Sequence, residues 1–297
     1  MRTGVQQAPK PSRDTSTYSN MNILFSGADG NLGSAFQTLA AAHGSARVTP
    51  LTRTDWSTLD EKLDAVDLIV HAASDLRTQP GAQPQRWLES NLMSTARLLE
   101  AARQHGVKRY VFISSCAVYG ANLLTHEDSA CSPITSNGIE KHLNEKLVAE
   151  FCANNGIEYL ILRVFNTYGG KDRFSVLSKL ENAIRNGTPF TLNNDGRVLR
   201  DFIHVDDVAA VVLHLCFANT KQRYVNIGTG VATKIADVVG MVVAQFPQLI
   251  IQRGNAKEVE YSRADTTLLR QFWGGSFVRI EDYVRDHLIS QIARQVG

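Results

Sequence analysis

The sequence predicts an α/β protein: a doubly wound parallel sheet followed by a smaller mixed α/β lobe towards the C-terminus. Three observations carry that reading. Short apolar runs alternate with helix-period segments from residue 22 to about 165, and continuous apolar strands belong to parallel sheets covered on both faces. A glycine-rich turn directly follows the first apolar run, as at the start of a nucleotide-binding strand–turn–helix unit. After about residue 166 the strand–helix rhythm loosens, which marks a differently built lobe.

The elements follow in order. Asn22–Ser26 is the first strand, and the helix after it stops at Gly44, a left-handed cap. Val48–Thr52 is a weaker strand whose Pro50 suits a sheet edge or a strand start. Asp67–His71 is the third. Leu88 to His105 reads as a helix, with Leu88, Leu92, Leu99 and Ala102 at helical spacing. Arg109–Ser114 is a buried strand, and a helix over about 137–154 carries Ile139, Leu143, Leu147 and Phe151 on one stripe. Glu158–Arg163 is a further strand. Crossovers between such strands are right-handed, so the sheet is of the Rossmann type, with ligands at the carboxyl ends of its strands. Later come a helix near 175–186, Pro189–Leu192, a turn at Asn193–Gly196, a strand over Leu199–Val205 and a last helix near 280–295. The division expected is a polar, disordered extension over 1–20, a dinucleotide-binding domain over 21–165 and a substrate lobe over 166–297. Some lobe segments return to the main sheet.

Composition narrows the function classes. Apolar content of 43% and charged content of 20% are those of an ordinary globular chain. A net charge of +2 is too small to imply nucleic acid or a membrane surface as partner. No apolar run reaches membrane-spanning length. Cys116, Cys131, Cys152 and Cys216 show no metal-ligand spacing, so no metal is expected and a reduced, cytoplasmic chain is the simplest reading.

Gly27-Ala28-Asp29-Gly30-Asn31-Leu32-Gly33 gives GxxGxxG between a strand and a helix. Glycine lets the backbone close up to a pyrophosphate that the helix N-terminus attracts, which makes Gly27, Gly30, Asn31, Leu32 and Gly33 candidate contacts of a dinucleotide. The second strand ends in Thr52-Arg53-Thr54-Asp55. A guanidinium suits a 2′-phosphate, so Arg53 leans towards NADP; Asp55 as the ribose-binding carboxylate leads back to NAD.

Further motifs carry a family resemblance. They are His71-Ala72-Ala73, Ser114-Ser115-Cys116-Ala117-Val118-Tyr119-Gly120, Asn137-Gly138-Ile139-Glu140-Lys141, Arg163-Val-Phe-Asn166-Thr-Tyr168-Gly169, Arg200-Asp201-Phe202-Ile203-His204-Val205-Asp206-Asp207-Val208, Asn226-Ile-Gly228-Thr-Gly230 and Ala264-Asp265. In this order they resemble the extended short-chain dehydrogenase/reductases, the epimerase/dehydratase family that modifies nucleotide sugars, over nearly all of 21–295. The resemblance implies that Ala72 and Ala73 leave room for cofactor and that Asn91 props the sheet centre. It implies that Ser115 hydrogen-bonds the reacting hydroxyl or ketone and that Lys141 holds the nicotinamide ribose. Asn166, Arg200 and Arg263 fall where the family contacts the sugar or its diphosphate, and His204 where it has a structural histidine. A homodimer through the helices near 88–105 and 137–154 is also implied.

The family helix reads Tyr-Gly-x-Ser-Lys, whereas Asn137 stands at the tyrosine. A carboxamide hydrogen-bonds but carries no proton near neutral pH, and losing a general acid/base costs about 10²–10⁴ in rate. Three explanations stay open: a substitute acid (Tyr119, Cys116 or His126), cofactor binding without turnover, or an engineered change. Gly170 stands where the family has proline. The expected activity is an NAD(P)-dependent epimerase, dehydratase or ketoreductase acting on a nucleotide sugar by hydride transfer. The rival is a binding protein with an impaired site.

Overall fold

Ile23, Leu24 and Phe25 have no exposed surface, the burial of a strand covered on both faces. In the computed structural model, which describes residues 21–292 apart from 45, 76, 78, 79, 122, 123, 257 and 291, they form β1 (Met21–Ser26). The extension over 1–20 lies outside the described residues. Around β1 a six-stranded sheet runs in the order β2-β1-β3-β4-β5-β9. Its other strands are β2 (Ala46–Leu51), β3 (Leu68–His71), β4 (Arg109–Ser115), β5 (Glu158–Val164) and β9 (Tyr224–Ile227), and every pairing is parallel.

Strand alternation sorts the core into two layers. Ile23 and Phe25 face α1 (Asn31–His43) and α7 (Val205–Phe217), packing with Phe36, Val208 and Val212. Leu24, Ile69 and Phe112 face the other way, towards Leu98, Leu99 and Ala102 of α4 (Ser94–Gln104) and Val148 and Cys152 of α5 (Ser136–Asn154). Leaving β1, the chain goes first to β2 on one side and then to β3 on the other. The strand order therefore reverses above β1 and β3, where such sheets bind ligands. The connection from β2 to β3 holds a 3₁₀ turn at Asp55–Thr58 and the short α2 (Leu59–Lys62). Thus β2 is a sheet edge, one of the two places that suit its Pro50.

The helix before β4 is longer than the periodicity indicates. It comprises α3 (Pro84–Trp87), a π-helical segment over Leu88–Met93, and α4. A π turn adds residues to the helix and rotates the face that follows it. Thr95, Leu98, Leu99, Ala101 and Ala102 are buried after it, while Leu88 and Met93 within it are 45% and 54% exposed. In α5 the first half of the apolar stripe also faces outward, Ile139 and Leu143 being exposed, while Leu147 and Phe151 are half-buried against the core. The buried face is polar over its first turns, with Glu140, Lys141, Asn144 and Glu145, and apolar at Val148 and Cys152.

The later chain forms two smaller sheets. One holds β6 (Asn166–Tyr168), β8 (Leu199–His204), β10 (Ala232–Lys234) and β12 (Tyr261–Ser262), the other β7 (Phe190–Asn193) and β11 (Ile251–Gly254). Helices α6 (Val176–Asn186), α8 (Ile235–Gln245) and α10 (Ile280–Tyr283) cover them through Leu180, Val238 and Ile280, while the short α9 (Leu269–Phe272) lies against the main sheet through Leu269. Both α7 and β9 belong with the main sheet. Among the described residues no helix is long and apolar enough to cross a membrane.

Candidate active site

The parallel register brings Ser26, His71 and Ser115 to one edge of the sheet. The glycine-rich turn closes over that edge. Gly27 has φ +79°, and a Cβ there would lie 2.9 Å from the Ala73 nitrogen. A Cβ at Gly33 would lie 2.4 Å from the Gly27 oxygen, so α1 packs against the turn only because residue 33 is glycine. No side chain caps the start of α1, and its first N–H groups, at Asn31 and Leu32 among others, are left for an anion. These features fit a dinucleotide.

The Asn31 side chain has a second task. Its Nδ2 donates to the Gly169 oxygen (3.0 Å) and its Oδ1 accepts from the Lys171 nitrogen (2.6 Å), tying the loop after β6 to α1. Gly170 in that loop has φ +63°. Proline is fixed near −65°, so the family's proline cannot occupy this turn.

At the end of β2 the Asp55 carboxylate accepts from the Thr52 nitrogen and hydroxyl, each at 2.7 Å. Those hydrogen bonds, the side-chain one first, hold its pKa below the usual range. Arg53 is 63% exposed and lies 3.5 Å from Asp75, which Arg77 grips through two nitrogens at 2.9 and 3.1 Å. Asp55 and Arg53 are thus both engaged within the chain.

The Ser115 and Asn137–Lys141 motifs meet between β4 and α5. Ser115 ends β4, and its Oγ accepts from the Ala117 nitrogen (3.2 Å). The Thr135 hydroxyl caps α5, and a Cβ at Gly138 would lie 2.4 Å from the Ala117 oxygen. The start of the helix, and Asn137 with it, is therefore pressed against the turn that follows Ser115. Asn137 Oδ1 is buried without a partner, an acceptor free for a ligand or water. One turn on, Lys141 is 7% exposed, with its Nζ 5.1 Å from the centre of the Phe112 ring and 3.6 Å from Glu140 Oε1. Glu140 accepts from Ser74 Oγ (2.9 Å) and Asn144 Nδ2 (3.2 Å). Asn91 binds the same region together: its Oδ1 accepts from the Asp75 nitrogen (2.6 Å) and its carbonyl from Asn144 (3.3 Å).

His71 lies below this group, between Ser26 Oγ (2.6 Å) and Thr95 Oγ1 (3.0 Å). Burial, with the Lys141 charge second, drives its pKa to about 3. The folded state holds the ring neutral, so the unfolded chain takes the proton first and stability falls as pH drops from about 6.5 towards 3. Between pH 7 and pH 5 this loss is about 2 kcal/mol. In urea unfolding at the two pH values, His71→Gln is expected to narrow the difference by about that amount; an unchanged difference contradicts the assignment.

Of the three alternative acids, Tyr119 and Cys116 hydrogen-bond within the chain and His126 is exposed. Tyr119 is buried, donates to Asn226 Oδ1 (2.6 Å) and accepts from Arg163 (3.0 Å), and burial raises its pKa. Burial likewise raises that of Cys116. His126 is exposed on a surface turn.

In the later chain Asn166 Nδ2 donates to the Asp201 oxygen (2.9 Å), Arg200 pairs with Glu258 (2.9 Å), and the Arg263 Nε is buried without a partner among the described residues. That orphaned donor suits an anionic ligand. His204 caps α7 and meets Tyr168 edge-on and Tyr283 at a tilt, each with ring centres 5.2 Å apart, a structural role. Sequence reading missed Glu140, Asp75 and Arg77. The one available signal was Glu140 at the family's serine. Cys131, His142 and Glu145 offer ligand atoms within 4.8 Å of one another, but Glu145 is committed to Arg163 (2.8 Å).

The model of the NAD dependent epimerase/dehydratase family matches residues 23–228. The chain belongs to that family. It is 31% identical over 195 residues to a putative UDP-glucose 4-epimerase of Methanocaldococcus jannaschii, 62% of this chain and 63% of that protein. It is 31% identical over 237 residues to UDP-glucose 4-epimerase 3 of rice, Oryza sativa subsp. japonica, covering 69% and 63%. The chain thus spans less than two thirds of the length of these relatives. Among solved structures it is similar to TunA, an NAD dependent NDP-hexosamine 5,6-dehydratase of tunicamycin biosynthesis (TM-score 0.83, 26% identity, 93% of this chain and 100% of that one). It is also similar to MoeE5 in complex with UDP-glucuronic acid and NAD (TM-score 0.81, 27% identity, 93% and 100%).

Proposed function

We propose that the chain is an NAD-dependent epimerase, dehydratase or ketoreductase of nucleotide sugars that acts by hydride transfer at a sugar carbon. The observation that carries the reading is the buried Lys141 of α5, whose ammonium lies over the Phe112 ring of β4. That strand ends in Ser115 at the carboxyl edge of the sheet, where the glycine-rich turn also lies. A scaffold without a ligand has little physical use for Lys141, Ser115, Asn166 and Arg200 together. When bound, the dinucleotide supplies the hydride acceptor and donor. Gly27, Gly30, Asn31, Leu32, Gly33, Ala72 and Ala73 form its cradle, and Lys141 orients its ribose. Ser115 keeps a hydroxyl proton for the reacting oxygen, and the unpartnered Asn137 Oδ1 holds a water that stands in for the phenol. Asn166, Arg200 and Arg263 line the nucleotide-sugar side. NAD rather than NADP is the cofactor: the similar MoeE5 structure holds NAD, and Arg53 faces Asp75 here.

Proton NMR of UDP-, dTDP- and GDP-hexoses incubated with protein and NAD tests the reading. New sugar resonances are expected from at least one, and none from Ser115→Ala. Tight dinucleotide binding with every sugar unchanged favours the binding-protein reading.

The working form is a cytoplasmic homodimer. Leu88, Met93, Ile139 and Leu143 are all exposed on the adjoining helices, an outward apolar surface of the kind that partner subunits cover. The four cysteines are free. Light scattering is expected to give a dimer and Leu143→Glu a monomer; a monomeric parent protein contradicts the assignment.

A further inference from the structure

Two residues of the Asn137–Lys141 run depart from the family, not one. Asparagine replaces the tyrosine, and Glu140 replaces a small hydroxyl residue. Glu140 is 2% exposed, so a carboxylate has been placed in the interior, where a charge needs a partner. Its partner is the Lys141 ammonium at 3.6 Å, with Ser74 and Asn144 completing its hydrogen bonds. Lys141 shares a helix face with position 137, one turn away.

We propose that Glu140 is a positioning residue that offsets the Lys141 charge where position 137 faces it, so that Asn137 and Glu140 form one coupled exchange. The inference rests on the reading of Lys141 as the lysine of the reacting site. In a site with a phenol, the ammonium stabilises the phenolate. With asparagine at position 137 no anion forms there, and a buried ammonium needs a fixed counter-charge. The other groups packed nearby do not supply it. Glu145 faces Arg163 of β5, Asp75 faces Arg77 and Arg53, and His71 of β3 is neutral.

Restoring the phenol alone then leaves it beside a compensated lysine. The test is carbon NMR of protein carrying ring-labelled tyrosine, with the added resonance identified against the eight native tyrosines. In Asn137→Tyr the new phenol is expected to titrate at or above its ordinary pKa of about 10. Adding Glu140→Gln, which removes the charge and keeps the shape, lowers it by about one unit or more, the effect of an unscreened ammonium at contact range. Glu140→Ser does the same. A phenol already well below its ordinary value in Asn137→Tyr, and unmoved by Glu140→Gln, overturns the proposal. Should Asn137→Tyr not fold, Asn137→Cys makes the same comparison, read as the pH dependence of thiol alkylation with and without Glu140→Gln. The titrations need neither cofactor nor turnover. A shift without turnover in any variant leaves the charge exchange standing and removes the enzyme reading.

Discussion

Arg163→Met is expected to destabilise the protein by about 3–5 kcal/mol, because it strands a buried carboxylate. Arg163 is 4% exposed and contacts Glu145 through Nε (3.0 Å) and Nη2 (2.8 Å). Its Nη1 donates to the Tyr119 hydroxyl (3.0 Å) and the Glu127 oxygen (2.9 Å), and its plane stacks between Tyr119 and Tyr224. One side chain thus links β5, α5, the turn after β4 and β9. Among the described residues, removing the guanidinium leaves Glu145 with the Ser114 hydroxyl (2.5 Å) as its one hydrogen-bond partner. Arg163→Met combined with Glu145→Leu is expected to recover much of the loss, since a buried ion pair replaced by apolar groups is often near neutral. Denaturant unfolding of the two single variants and the double variant measures the coupling. Additive losses would show that the pair is not the source of the effect.

Lys141→Met is expected to lower turnover by at least about 10²-fold, the scale for losing a group that orients the reaction. The same substitution leaves Glu140 buried and unpaired, so stability falls too. The two effects separate in the double variant. Lys141→Met with Glu140→Gln is expected to regain thermal stability while turnover and nicotinamide binding, read by cofactor fluorescence, stay low. If activity returned with stability, Lys141 would be a packing residue.

Much of this was legible in the chain. The apolar runs at 22–26, 109–114 and 158–163 became β1, β4 and β5 within a residue at each end, because buried parallel strands carry an undiluted apolar signal. Pro50 marked the sheet edge. The glycine-rich turn was legible because Gly27 and Gly33 are needed sterically, not by preference. The faces of α5 were not legible. Periodicity finds an apolar stripe and assumes that it points inward, whereas this helix buries Glu140, Lys141, Asn144 and Glu145 beneath the site and turns Ile139 and Leu143 outward. Nor could Leu88 be assigned a face, since the π-helical segment changes the phase within the helix. The partners of Asn166 and Arg200, Asp201 and Glu258, are 35 and 58 residues away in the chain. Only the packed lobe brings them together. The motif showed where these side chains fall, but not which protein groups hold them.

The most direct measurement follows hydride transfer itself. Protein saturated with NAD is mixed with each nucleotide hexose, and the absorbance band of reduced nicotinamide is recorded in a single turnover. Formation of bound reduced cofactor with at least one sugar, and none in Lys141→Met combined with Glu140→Gln, is the result expected here. Saturated NAD with no reduction by any nucleotide hexose in the unaltered protein, but reduction once Asn137→Tyr and Glu140→Ser are combined, would contradict it: the site would then bind without reacting.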